Sequence, residues 1–225
     1  MQLSPNLKVE QTMSQSSADY GTPQEEFWAG QFGNEYIQRN DETKHLSSNL
    51  ALFSKILSRT GPIETAIEFG ANIGLNLRAI HKLSPQTHLT AVEINNKACQ
   101  MLNVSLPEVQ LTQASILDVQ LSKRFDLALI KGVLIHINPE NLPVVYSKLE
   151  EATTRFTLIA EYYNPCPVKV DYHGHSDRLY KRDFAGEFLD RYTDFKVLDY
   201  GFCWHRDPIF PQDDITWFLL ERRGT

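Results

Sequence analysis

Long apolar runs are missing from this chain. No stretch reaches the ~18 consecutive apolar residues that a bilayer-crossing helix needs, so no membrane span is expected. Cysteine is scarce: Cys99, Cys166 and Cys203 stand alone, with no C-x-x-C pair. An odd, sparse set excludes a disulfide framework, and without paired thiols a structural zinc site is not expected. Basic charge is also short. Lys and Arg number 22 against 28 Asp and Glu, for a net charge of −6. A nucleic-acid binder asks for a basic face, so no nucleic-acid partner is expected, and the pairs Lys123-Arg124, Lys181-Arg182 and Arg222-Arg223 read as solvated surface. The first 17 residues lack the apolar core of a secretory signal. Together these absences fit a reducing cytoplasm.

What is present divides the chain in three. Residues 1–19 are rich in Ser, Gln and Asn, have little to bury, and read as a disordered tail. Residues 20–60 read as a helical lid region. The segment PQEEFWAGQFGNEYIQRN, residues 23–40, predicts one or two short helices, and Leu46, Leu50, Phe53 and Ile56-Leu57 recur at helical spacing until Gly61-Pro62 stops the run. Residues 61–225 alternate between strand and helix. Strands are expected at Thr65–Phe69, His88–Glu93, Val109–Thr112, Phe125–Ile130 and Phe156–Ala160. Helices are expected at Leu75–Lys82, Lys97–Leu102 and Leu142–Glu151, the last opened by Pro139. A further helix, Asp183–Tyr192, precedes two strands, Phe195–Gly201 and Ile215–Glu221, joined by a Pro-rich loop and so antiparallel. The fold class is therefore α/β: a Rossmann-like, doubly wound, seven-stranded sheet, mostly parallel, with an antiparallel C-terminal hairpin strand and N-terminal helices.

The densest chemical signal is Glu68-Phe69-Gly70-Ala71-Asn72-Ile73-Gly74, after a strand and at the start of a helix. Glycines there let the backbone bend sharply and approach a ligand. Asn72 holds the middle position, and Asn tolerates positive φ better than other side-chain-bearing residues. Glu93 closes the next strand, 19 residues beyond Gly74, where a carboxylate accepts hydrogen bonds from ribose hydroxyls. A pyrophosphate loop asks for G-x-G-x-x-G, but Asn76 departs from that spacing, and Glu68 before the glycines suits an ammonium better than a phosphate. A plain strand–helix connection is the alternative for the turn.

These motifs resemble those of the class I S-adenosylmethionine-dependent methyltransferases over roughly residues 60–222. The resemblance implies S-adenosyl-L-methionine as cofactor, with Glu68, Gly70, Asn72 and Gly74 around its methionine part. It also implies Glu93 on the ribose, Ser115 and Ile116 (with Asp118) beside the adenine, and the segment Lys131 to His136 beside the methyl group. Tyr36 and Arg39 are further cofactor candidates, Arg39 through a bidentate pair with the carboxylate, while Trp28 and Tyr20 are candidates to close over the site. The stretches WAGQFGNEYIQRN, EFGANIGLN and EYYNP resemble a narrower group, the pseudaminic acid biosynthesis-associated methylases. That implies a small-molecule acceptor in a nonulosonic sugar context, the free acid or its nucleotide-activated form.

A hydroxyl or amine acceptor must lose a proton to a base. The candidates are His136, in the apolar stretch VLIHI, then His173 and His175. The competing reading is a structural histidine for His136 and exposed loop residues for the other two. H-G-H is also a metal-type pair, but no acidic cluster completes it, and no metal is assigned. Tyr162, Tyr172, Arg178, Trp204, His205 and Arg206 are candidates for substrate binding, drawn from the 166–182 connection and the 203–213 loop. Their alternative is solvated surface. Other readings of the whole are a methyltransferase for another metabolite or a protein side chain, an NAD-dependent oxidoreductase, and a catalytically silent binding module. The oligomeric state is left open.

Overall fold

A computed structural model describes residues 20–37, 42–172 and 175–224; side chains at 42–44, 172 and 175–178 lie outside that description. The expected tail, 1–19, lies outside the described residues, as do Arg39 and His173.

Strand formation follows the apolar runs. β1 (Thr65–Phe69), β2 (His88–Glu93), β4 (Phe125–Lys131) and β5 (Thr153–Glu161) bury nearly every side chain. That is the composition of central parallel strands covered on both faces. β3 (Gln110–Gln113) is short and polar and forms an edge. β8 (Phe195–Phe202) and β9 (Thr216–Arg222) complete a sheet of order β3-β2-β1-β4-β5-β9-β8, in which β9 runs antiparallel to both neighbours. The strand order turns at β1: β2 and β3 lie to one side, β4 and β5 to the other. Ligands of open α/β sheets bind outside the carboxyl ends of the strands at such a switch.

Helices cover both faces. α3 (Glu42–Thr60), α4 (Leu75–Leu83) and α5 (Asn96–Ser105) pack on one face through Phe53, Ile56, Leu77, Ile80 and Leu102. α6 (Leu142–Ala152) and α7 (Phe184–Arg191) cover the other through Val145, Tyr146, Leu149 and Phe188. Two short helices, α1 (Pro23–Ala29) and α2 (Gln31–Ile37), sit over the carboxyl edge. They are docked by Asn95, whose Nδ2 donates to the Trp28 carbonyl at 3.0 Å and to Asn34 Oδ1 at 3.1 Å.

Two local expectations are corrected. α6 starts at Leu142, with Pro143 in its first turn, rather than at Pro139, because Asn138 to Asn141 close a turn of their own (Asn141 N–H to Asn138 carbonyl, 2.8 Å). The 166–182 connection is not a loop: β6 (Val168–Tyr172) and β7 (His175–Lys181) form a two-stranded antiparallel ribbon. Alternating Val168, Val170 and Leu179, Lys181 carry a period-two pattern that the polar residues between them obscure.

Candidate active site

At the carboxyl edge the turn after β1 adopts the conformation its residues permit. Gly70, Asn72 and Gly74 all have positive φ, at 72°, 48° and 80°. The turn is tied down from β2. The N–H groups of Gly70 and Ala71 donate to the Val92 carbonyl (2.8 and 3.2 Å), and that of Asn72 to Glu93 Oε2 (2.7 Å). Glu93 Oε1 accepts from the Asn95 N–H at 2.7 Å, and Asn95 in turn caps α5 through its own side chain. Burial raises the Glu93 carboxyl above its ordinary range, and these backbone donors oppose the rise.

A second layer lies under the turn. Glu68 is fully buried, with Oε1 accepting from Asn76 Nδ2 at 2.6 Å and Oε2 without a hydrogen-bond partner among the described residues. Burial pushes its carboxyl up to about 8, with the Asn76 amide and the Lys131 charge opposing. Lys131, at the end of β4, is lowered by burial and held up by Glu68, Asp213 and Glu161. Glu161, at the end of β5, receives the N–H groups of Val133 and Leu134 on one oxygen, both at 2.9 Å. Burial pushes it up to about 7. This carboxylate fixes the loop Lys131–His136 and the single 3-10 turn Leu134–His136 within it.

Above the turn is a cavity of about 240 Å3. Its floor is Gly70 to Ile73 with Asn76. One flank is Glu93 to Asn95 with Ala114 to Leu117, and the other is Lys131 to Val133 with His136. Its roof comes from α1 and α2, with Glu25, Trp28 and Tyr36, and from α3, with His45 and Asn49. The His136 ring lies 4.5 Å from the Trp28 ring, centroid to centroid, and Tyr36 meets Trp28 edge-on at 5.4 Å. The β8–β9 loop reaches the cavity through Asp213 and is bound to α3 by Gln212 Nε2, which donates to the Ser48 carbonyl at 2.8 Å.

The cavity thus brings together nine of the sequence candidates: Trp28, Tyr36, Gly70, Asn72, Glu93, Ser115, Ile116, Lys131 and His136. Six others are placed elsewhere. Glu68 sits behind the turn rather than in the cavity wall. Gly74 faces the core, where a side chain would press on Leu102 and Leu106. Tyr162 packs between the two core layers, with Lys181 Nζ 5.2 Å from its ring centroid. Trp204, His205 and Arg206 are exposed outside the cavity: Arg206 lies over Trp204, and His205 Nδ1 pairs with Asp214 at 2.9 Å. They occupy the outward side of the loop, whose Gln212 is buried and whose Asp213, itself exposed, borders the cavity. Tyr172, His175 and Arg178 belong to the β6–β7 ribbon, with side chains outside the described set.

Sequence reasoning passed over Glu25, His45, Asn49, Asn138 and Asn141. A turn of Thr22-Pro23 followed by acidic residues marks the α1 start and could have drawn attention to Glu25. His45 and Asn49, spaced by one helical turn, share a face of α3. Asn138 and Asn141 carry no comparable signal.

No family model matches the chain, and no curated protein matches it in sequence. Solved structures match in shape. The N-methyltransferase NodS from Bradyrhizobium japonicum, in complex with S-adenosyl-L-homocysteine, superposes with a TM-score of 0.64 at 12% identity, covering 86% of this chain and 98% of that one. Magnesium protoporphyrin IX methyltransferase from Synechocystis, with bound S-adenosylmethionine, gives 0.63 at 10% identity over 88% and 94%. An S-adenosylmethionine-dependent methyltransferase from Clostridium acetobutylicum gives 0.61 at 11% over 86% and 98%. At these identities the likeness speaks for architecture: the chain has the Rossmann-like fold of S-adenosylmethionine-dependent methyltransferases.

Proposed function

We propose that this protein is an S-adenosylmethionine-dependent methyltransferase acting on a hydroxyl or amine of a small polar acceptor. The observation that carries the reading is one cavity uniting the left-handed turn Gly70–Asn72, the Glu93 carboxylate and the His136 ring. The residues present fit the cofactor. Gly70 and Asn76 both line the cavity, and Asn76 Oδ1 is buried with no partner among the described residues, an acceptor suited to an ammonium. In this reading Gly70 to Ile73 and Asn76 hold the amino-acid end, the free lone pairs of Glu93 hold the ribose, and Ser115 to Leu117 flank the adenine. When bound, the cofactor supplies an activated methyl group on a sulfonium.

The chain's own residues do the rest. The turn and the Glu161-pinned loop fix the relative position of cofactor and acceptor, the main contribution a protein makes to such a displacement. Trp28, Tyr36 and Ile37 cover the cavity and keep water away. His136, eight per cent exposed and edging the cavity, is the group we assign to receive the acceptor's proton.

The resemblance noted in the sequence supports a nonulosonic acid, free or nucleotide-activated, as the acceptor. The test is incubation with methyl-labelled S-adenosylmethionine and such sugars, followed by mass spectrometry. Label in a sugar product supports the full reading, and label in another small molecule keeps the enzyme but replaces the acceptor. Cofactor binding with no transfer would leave a silent binding module.

A further inference from the structure

The roof of the cavity contains a carboxylate that the account so far does not use. Glu25 is on α1, eight per cent exposed, and lines the cavity. Its Oε2 is buried without a hydrogen-bond partner among the described residues. A buried polar atom left unpaired costs about 1–3 kcal/mol, and a ligand that supplies a donor removes that cost. Trp28 lies three residues on, on the same side of the helix, and its Nε1 is likewise buried and unpartnered. The Trp28 ring rests on His136. Glu25 therefore belongs to the wall that carries the proposed base.

Charge points the same way. Among the described residues, the cavity is lined by three carboxylates, Glu25, Glu93 and Asp213, against one lysine, Lys131, and by no arginine. Glu93 already accepts from the Asn72 and Asn95 N–H groups, and its remaining lone pairs are assigned to the ribose. Asp213 acts electrostatically on Lys131, which the Glu68 carboxyl also faces. Glu25 has a buried oxygen with no donor among the described residues. An acceptor with its own negative charge would meet that oxygen unfavourably, whereas an ammonium would satisfy it and gain cation–π attraction from the Trp28 face.

We infer that the acceptor presents a primary amine, bound as its ammonium form by Glu25 against Trp28. This rests on the methyltransferase reading but not on the sugar-acid part of it. One ammonium proton passes to the His136 ring, the base assigned above, while Glu25 accepts a hydrogen bond from another N–H of the same nitrogen. The acceptor nitrogen then uses the freed lone pair to form the N–CH3 bond, while the methyl–sulfur bond breaks and leaves its pair on sulfur. The methylated product departs as an ammonium.

The experiment uses the full chain, methyl-labelled S-adenosylmethionine and three pools on shared ring scaffolds: free amino sugars, their N-acetyl forms, and the parent hydroxy sugars. Label confined to nitrogen in the first pool is the expected result. Glu25→Gln should then raise the acceptor KM at least tenfold and leave S-adenosyl-L-homocysteine affinity within twofold. Label only in the other pools, no label in the amino pool, or an unchanged KM in Glu25→Gln overturns the inference. A wild-type chain that does not bind S-adenosyl-L-homocysteine fails the methyltransferase reading itself and removes the inference with it. The comparison of pools needs only the wild type, so it holds even if Glu25→Gln does not fold.

Discussion

Two glycines with nearly the same positive φ separate strain from crowding at the site. Gly70 has φ of 72° and Gly132 has φ of 68°. An alanine at either pays about 1–2 kcal/mol for the left-handed conformation. At Gly132 nothing lies within 4 Å of the added methyl, so that cost stands alone. At Gly70 the methyl would come within 2.5 Å of Val133 Cγ2. Carbon atoms prefer ~3.5–4 Å, so the turn or the 131–136 loop must move by about 1 Å, and such overpacking costs about 1–3 kcal/mol more. Gly70→Ala should therefore lose about 2–5 kcal/mol and Gly132→Ala about 1–2. Denaturant unfolding with an unchanged m-value reads both. Adding Val133→Ala to Gly70→Ala should recover part of the excess, because residues in contact do not add. Equal losses for the two single variants, or a double variant that is simply additive, would refute the placement of Val133 against the turn.

Glu68 titrates in the opposite sense to an ordinary surface carboxylate. With its carboxyl raised from 4.5 to about 8, the folded chain keeps a proton that the unfolded chain releases. Stability from this group is fully present below pH 4.5 and falls by roughly a kcal/mol per pH unit as pH rises to 8. Glu68→Gln should match the wild type near pH 5 and exceed it near pH 9, read by thermal unfolding across that range. The Glu161 slope, of the same sign up to about pH 7, and the opposing Lys131 slope remain in both proteins, so an unchanged difference between the two across pH would contradict the burial argument. At Glu93, both oxygens hold backbone N–H groups, so truncation to alanine disturbs the turn as well as any ligand. Glu93→Gln keeps one acceptor, should cost about 1–3 kcal/mol of stability, and should weaken S-adenosyl-L-homocysteine binding about tenfold by calorimetry.

The architecture was legible because central strands are written as continuous apolar runs. Phe125–Ile130 and His88–Glu93 declare themselves, and the Gly-rich turn after Thr65–Phe69 takes the geometry its residues allow, including a positive φ at Asn72. The ribbon Val168–Lys181 was not legible, since its apolar residues are spread among charged ones. Within the site, residues anchored to strand ends were found from position alone. Those delivered by helices and loops were harder. Glu25, His45 and Asn49 reach the cavity only because Asn95 docks α1 and α2 and Gln212 docks the β8–β9 loop on α3, contacts spanning 60 residues or more of sequence. The same loop shows the reverse error. Trp204, His205 and Arg206 look chemical in sequence, yet the chain turns them away from the cavity, and Asp213 is the residue of that loop that borders it. Glu68 is displaced for a related reason: the alternation of β1 points it under the turn, where Asn76 closes it off.

Calorimetric titration of the purified protein with S-adenosyl-L-homocysteine and, separately, with NAD tests the central claim most directly. Micromolar binding of S-adenosyl-L-homocysteine, none of NAD, and about tenfold weaker binding of the former in Glu93→Gln is the predicted result. Binding of NAD with none of S-adenosyl-L-homocysteine would contradict the account and return the nicotinamide oxidoreductase reading in its place.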